Sequence, residues 1–314
     1  MSAPLGYLSG SASVSADLLQ TMAWGFSAVS ALVVAVIVGL IWVAIARGRR
    51  RAADGDPTVL EQGQQGLALI WWGVGLSLPV LVALALWTMS AVRALATPPV
   101  GQQLTITVTA HRWWWQTETA DGLGPPFTGA NEIVIPTGKP VALLLASADV
   151  IHDFWVPKLG PKMDMIPGRT NRTWLEARTP GIYRGQCAEF CGFEHARMAF
   201  TVRALPPADY ARWSTSQRSN PAQAATAPGS ALFVEHCGAC HTVRGVGAGG
   251  IMGPDLTHFA GRSTIGAGLA PNTPLSLDRW IADPQALKPG TEMPQVPLTP
   301  AERQQLVAYL ERLQ

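Results

Sequence analysis

The sequence predicts a membrane-anchored chain in three folded parts: a two-helix transmembrane hairpin, an all-β sandwich or barrel, and a small all-α unit at the C-terminal end. Three observations predict it. Two uncharged apolar stretches, residues 27–46 and 66–90, are each long enough to cross a bilayer. From residue 101 the pattern shifts to short alternating runs punctuated by Pro and Gly. The last residues, from Thr299, return to helical spacing behind a capping signal. Only 14% of the 314 residues are charged, against roughly 25% in soluble domains. The net charge of +2 offers no basic footprint for nucleic acid.

The hairpin comes first. About 20 apolar residues at 1.5 Å rise cross a ~30 Å hydrocarbon core, and both stretches meet that length. Pro79 in the second is tolerable in a membrane helix, where freed carbonyls are re-satisfied. Arg47, Arg49, Arg50 and Arg51 follow the first span, whereas residues 1–26 hold no Lys or Arg. The positive-inside rule therefore places the intervening loop in the cytoplasm. Both termini and everything after the second span then lie on the outer, periplasmic face of a bacterial plasma membrane. The hairpin is expected to occupy residues 1–95.

The β unit is expected over residues 96–213. Leu104, Ile106 and Val108 alternate with polar neighbours, as in a half-buried strand. Further strands are expected at 131–135, 141–147, 172–177 and 198–204, separated by turns such as 136–140 (PTGKP) and 179–181 (TPG). Within this unit Cys187, Cys191, His195 and Met198 place two thiols, an imidazole and a thioether in a dozen residues. Such soft donors select copper over hard cations. His152, on an earlier segment, can add a second imidazole. A structural zinc site would call for four strong ligands, and Met is not one.

The run C-x-E-x-C-x3-H-x2-M with its upstream histidine resembles the dinuclear copper domain of cytochrome c oxidase subunit II, a cupredoxin-like Greek-key sandwich. The likeness extends over 147–173 and 181–198. It implies that Cys187 and Cys191 bridge two coppers, that His152 and His195 cap one each, that Met198 is a weak ligand and that Glu189 contributes its backbone carbonyl. It further implies that the Glu189 carboxylate reaches a magnesium site shared with subunit I. In His111-Arg-Trp113-Trp114-Trp115, the same resemblance makes Trp113 an exposed ring through which electrons arrive from cytochrome c.

Residues 214–228, rich in Pro, Ala, Ser and Gln, read as a linker. The unit at 229–314 carries Cys237-Gly-Ala-Cys240-His241, the attachment signature of haem c. Cys237 and Cys240 add to the haem vinyls, and His241 lies beneath the iron. A short helix is expected to lead into this motif, and Thr299-Pro300-Ala-Glu302 opens a final helix carrying Leu306, Tyr309, Leu310 and Leu313. First and last helices packed crosswise resemble the cytochrome c fold, with Phe233 and Tyr309 near the crossing. The stretch 288–294 (KPGTEMP) resembles that family's sixth-ligand loop and implies Met293 as the second axial ligand, ahead of Met252. His/Met ligation raises the haem potential, as suits an oxidase donor.

The resemblance implies the electron-relaying subunit of a terminal oxidase. Electrons pass from an upstream cytochrome or bc-type complex to the fused haem c, the dinuclear copper and then subunit I, which reduces oxygen with proton pumping. Other oxidase subunits are expected partners. A nitric-oxide-reducing relative is the alternative, because subunit II does not name the gas reduced. Intact ligands argue against a quinol oxidase, and His195, Met198 and the haem motif against a copper chaperone. Many family members carry a glutamate early in the second span; Ala68 stands there, which leaves proton admission to Glu61 or to another route.

Overall fold

The computed structural model describes residues 9–53, 63–97 and 104–314; Glu61 lies outside them. Helix α1 (Val14–Ala53) and helix α2 (Gly63–Ala96) form one compact unit over Asp17–Thr97. A helix of 40 residues is roughly 60 Å long, so α1 is longer than its apolar stretch requires. The two helices meet where α1 has no side chain. A Cβ on Gly25 would stand 2.4 Å from the Trp87 ring, and Phe26 stacks on that ring at 5.8 Å between centroids. Close approach over a small residue is how membrane helices gain packing when lipid removes the hydrophobic drive. Apolar side chains otherwise cover both helices, and most are exposed, as expected of surfaces that meet lipid.

Residues described from 104 onward belong to the second compact unit. Its first part is a sandwich of two five-stranded sheets. One sheet has the order β3 (Phe127–Ala130), β2 (Trp114–Ala120), β1 (Thr105–His111), β5 (Val141–Ser147), β8 (Asn171–Leu175). The other runs β4 (Glu132–Pro136), β10 (Ala199–Leu205), β9 (Gly181–Cys187), β6 (His152–Trp155), β7 (Met163–Met165). β1 pairs β5 in parallel and β4 pairs β10 in parallel; the remaining neighbours are antiparallel. Ile106, Val108, Leu143 and Leu145 from one sheet meet Ile135, Phe154, Phe200 and Val202 from the other in a buried core. Each such side chain contributes roughly 1.5–3 kcal/mol when fully buried. Trp115 packs on Phe200 at 4.8 Å and Phe154 on Phe200 at 4.7 Å. This aromatic floor lies beneath the predicted metal loop.

The Pro/Ala/Ser-rich stretch differs from the expected linker. Helix α3 (Pro207–Arg218) runs through Ser214, which is fully buried. The reason is Asp121 on the sandwich: it accepts from the Ser214 hydroxyl and pairs with Arg218, and Tyr210 donates to it at 3.3 Å. Ala224 and Ala227 are also buried, in the core of the following part. A buried charge with three partners on α3 outweighs the loop-like composition.

The last part is α-helical around a crossing of helix α4 (Ser230–His236) and helix α7 (Pro300–Leu310). The Phe233 and Tyr309 rings sit 5.5 Å apart there. Thr299 and Glu302 make the reciprocal capping box, with Pro300 opening α7. Helices α5 (Pro274–Ala282) and α6 (Pro284–Leu287) complete it.

Candidate metal and haem centres

The loop between β9 and β10 is tied at its base, where Cys187 N donates to Met198 O at 3.0 Å. Strand register brings the upstream histidine to it: Phe154 on β6 pairs Cys187 on β9, so His152, two residues earlier, points to the same side. The donor atoms then form an unbroken series. His152 Nδ1 is 3.8 Å from Cys187 Sγ, Cys187 Sγ is 3.7 Å from Cys191 Sγ, and Cys191 Sγ is 3.6 Å from His195 Nδ1. Met198 Sδ lies 3.8 Å from Cys191 Sγ, and the Glu189 carbonyl oxygen 3.2 Å from Cys187 Sγ. The side chains of His152, Cys187, Cys191 and Met198 are buried, His195 half so, and the Glu189 side chain is exposed. The Cys191 thiol holds Cys187 down, with His152 assisting; Cys187 and burial push Cys191 up. The thiolate is the form that binds metal, and these neighbours favour it at Cys187 over Cys191.

Two residues behind the donors were not singled out from the sequence. Asp149 accepts from His152 Nε2 at 2.8 Å, Val150 N at 2.6 Å and Arg112 N at 2.7 Å. Burial pushes the Asp149 carboxyl up, but these hydrogen bonds hold it below the ordinary value. Proton donation from Nε2 leaves His152 Nδ1 free toward the sulfurs, the orientation a carboxylate imposes on a metal-binding imidazole. The signal was legible in principle, since Asp149 stands three residues before His152. Gly192 is the second. Its φ is +114°, and a Cβ there would stand 3.1 Å from the Trp113 ring, so the loop turns where only glycine fits.

Trp113 is not the exposed ring expected; it is 8% exposed. Its Nε1 donates to Cys191 O at 3.0 Å, and on the other side Gly290 lies against its six-membered ring, a Cβ there being 3.5 Å away. The indole is therefore covered by the C-terminal part and bonded to the metal loop at once.

Behind Trp113 opens an apolar cavity lined by Cys237, Cys240, His241, Met293, Phe233 and Leu306, with Trp113 and Arg112 at its edge. A helical turn brings the cysteines and histidine together, Cys240 N and His241 N both donating to Cys237 O. His241 Nδ1 donates to Pro254 O at 2.8 Å, and burial lowers the ring's basicity. Its Nε2 is left as the free donor atom. Gly253 makes room for the ring, since a Cβ there would sit 2.6 Å from His241 Cε1. Burial pushes the Cys237 thiol up to about 11. Met293 is half-buried in the lining, whereas Met252, which also lines the cavity, is 73% exposed. Gln285 Nε2 donates to Met293 O and Thr291 O, fixing that loop.

Both donor sets fit the groups their sequences imply. Two thiols flanked by two imidazoles, a thioether and a carbonyl suit copper, and an apolar crevice with two thiols and a hydrogen-bonded histidine suits haem c. A chain with two membrane-length helices and these two sites in one compact unit defines a membrane-anchored electron-transfer protein. Residues 126–205 match the family described as cytochrome c oxidase subunit II, periplasmic domain, and residues 226–314 match cytochrome c. Cytochrome c oxidase subunit 2 of Alkalihalophilus pseudofirmus is 37% identical over 295 residues, covering 91% of this chain and 84% of that protein. The subunit 2 of Bacillus subtilis is 27% identical over 290 residues, covering 84% and 80%. The crystal structure of the periplasmic domain of subunit II of cytochrome oxidase from Bradyrhizobium japonicum is 33% identical, covering 39% of this chain and 97% of that one, with a TM-score of 0.36. The chain belongs to the cytochrome c oxidase subunit II family, with a cytochrome c domain following the subunit II periplasmic domain. It is an electron-relaying subunit of a respiratory oxidase, anchored in the plasma membrane with its sandwich and cytochrome domains on the periplasmic face.

Proposed function

We propose that this subunit holds a dinuclear copper centre through His152, Cys187, Glu189 O, Cys191, His195 and Met198. It attaches haem c at Cys237 and Cys240 with His241 and Met293 as axial ligands. The observation that carries the reading is the unbroken series His152–Cys187–Cys191–His195, with neighbouring donor atoms 3.6–3.8 Å apart. Bound, each centre takes up and gives back one electron at a time. The chain's own residues do the rest. Asp149 holds the His152 ring, the Cys187–Met198 backbone bond closes the loop, and the aromatic floor excludes water, so the donors keep their places whatever the charge between them. Trp113 bridges the two sites, bonded to the Cys191 carbonyl and bordering the haem crevice.

Glu189 carries its carboxylate on the exposed side of the loop, which supports a magnesium ion shared with subunit I. Phe190 and Phe193, 75% and 79% exposed beside it, mark the same face as the contact with subunit I. The upstream donor is a cytochrome or bc-type complex. Metal and haem analysis of the purified oxidase tests the proposal. The native oxidase is expected to hold two more coppers per copy of this chain than Cys191→Ser, with one haem c on the chain in both. A difference of one copper, or none, would sink it.

A further inference from the structure

Lys288 is 2% exposed and lies in the cytochrome domain, yet most of its partners do not. Its Nζ donates to Trp113 O at 2.7 Å, Arg197 O at 2.9 Å and Gly266 O at 2.9 Å. Three N–H groups meet three carbonyls, two on the copper domain and one on the cytochrome domain, so a buried ammonium is fully satisfied. Around it the contacts continue. Arg197 Nη1 donates back to Leu287 O at 3.2 Å, and Ala199 N donates to Ala267 O at 3.0 Å. Both residues flanking Met198 are therefore held by the cytochrome domain. Farther out, Thr128 Oγ1 donates to Asp255 Oδ2 at 2.7 Å, and Arg244 donates to the carbonyls of Gln217 and Arg218 at the end of α3.

We propose that Lys288 is a positioning residue that pins the cytochrome domain to the copper domain, fixing the haem crevice against Trp113 so that internal electron transfer starts from a docked state. A buried charge-assisted bond to three carbonyls cannot slide, because any shift strands either the ammonium or its acceptors without partners. The lysine side chain reaches the Trp113 carbonyl while Gly290, two residues on, packs under the indole. The segment 288–293 that carries Met293 is thereby held by the same contact. The inference rests on the proposed copper and haem sites and adds to them how the two are kept in register.

The test uses the intact oxidase. Lys288→Met keeps the stem and removes the three donors. Photo-injected electrons at haem c should reach the copper at least tenfold more slowly in this variant, with the haem absorbance and copper EPR signals unchanged. An unchanged rate with both signals intact would overturn the proposal. A native complex lacking the copper signal would overturn the site assignment as well, and the two failures are told apart by that spectrum. If the variant does not assemble, amine acetylation of the native complex decides. The chain has three other lysines, Lys139, Lys158 and Lys162, of which Lys139 and Lys162 are exposed. Lys288 should acetylate at least tenfold more slowly than those two; equal labelling overturns the pin.

Discussion

Replacing Asp149 by Ala removes three hydrogen bonds at once, to His152 Nε2, Val150 N and Arg112 N, at 2.8, 2.6 and 2.7 Å. Carboxylates that orient a metal-binding histidine are worth about 10–100-fold in metal affinity, or about 1.4–2.8 kcal/mol at 1.4 kcal/mol per decade. Here the larger end applies, because one carboxylate orients the fully buried His152 ring and also ties down Val150 N and Arg112 N beside it. Copper affinity of the periplasmic face should therefore fall by about 100-fold, read by competition against a chromophoric chelator on the purified oxidase. Asp149→Asn should fall between, since its one oxygen can still accept from Arg112 N or from His152 but not satisfy all three. The Arg112 bond adds a second consequence: Trp113 follows Arg112, so tryptophan fluorescence or hydrogen exchange at 112–114 should loosen along with the copper. An affinity within twofold of native in Asp149→Ala would refute the role of this carboxylate and leave His152 held by packing alone.

Gly192→Ala forces a non-glycine residue to φ +114° with its Cβ against Trp113; a loss of about 1–3 kcal/mol is expected, seen as a lowered melting temperature with diminished copper. Phe233→Ala empties the α4–α7 crossing and should cost about 3–5 kcal/mol, measured as earlier loss of the haem c band in denaturant while the copper signal persists. Asp121 is pushed up by burial, but bonds from Ser214, Leu123 N and Arg218 hold it net below 3.8. A depressed folded pKa gives stability that is complete above the unfolded value and lost as pH falls through the folded one. Proteolysis within α3 should therefore rise only below about pH 4, and Asp121→Asn should show the raised rate already at neutral pH.

How much of this was readable in the sequence depends on how local the signal is. The spans, the capping box at Thr299 and the two cysteine motifs are contiguous, and each names its own chemistry. Five expected strands coincide with β1, β4, β5, β8 and β10. The sandwich's other five, β2, β3, β6, β7 and β9, escape the alternation test. β2 buries Thr117 and Thr119 rather than aliphatic residues, β3, β6 and β7 are only three or four residues long, and β9 carries Gly185 beneath the Phe200 ring. What could not be read was anything made by distant residues meeting. Trp113 looks like an exposed aromatic until Gly290, far along the chain, covers it. The 214–228 stretch looks flexible until Asp121 is placed beside Ser214 and Arg218. Lys288 looks like a surface lysine until its three carbonyls are seen.

The proposed centre differs from a mononuclear copper site in that Cys187 and Cys191 together hold two coppers rather than one. The most direct measurement is the EPR spectrum of the purified oxidase at low temperature, with the haem signals subtracted. Two coppers sharing one unpaired electron through both sulfurs predict a seven-line hyperfine pattern, converted in His195→Asn to a perturbed or lost signal. A four-line pattern in the native protein would mean one copper, and the bridging assigned to Cys187 and Cys191 would be wrong.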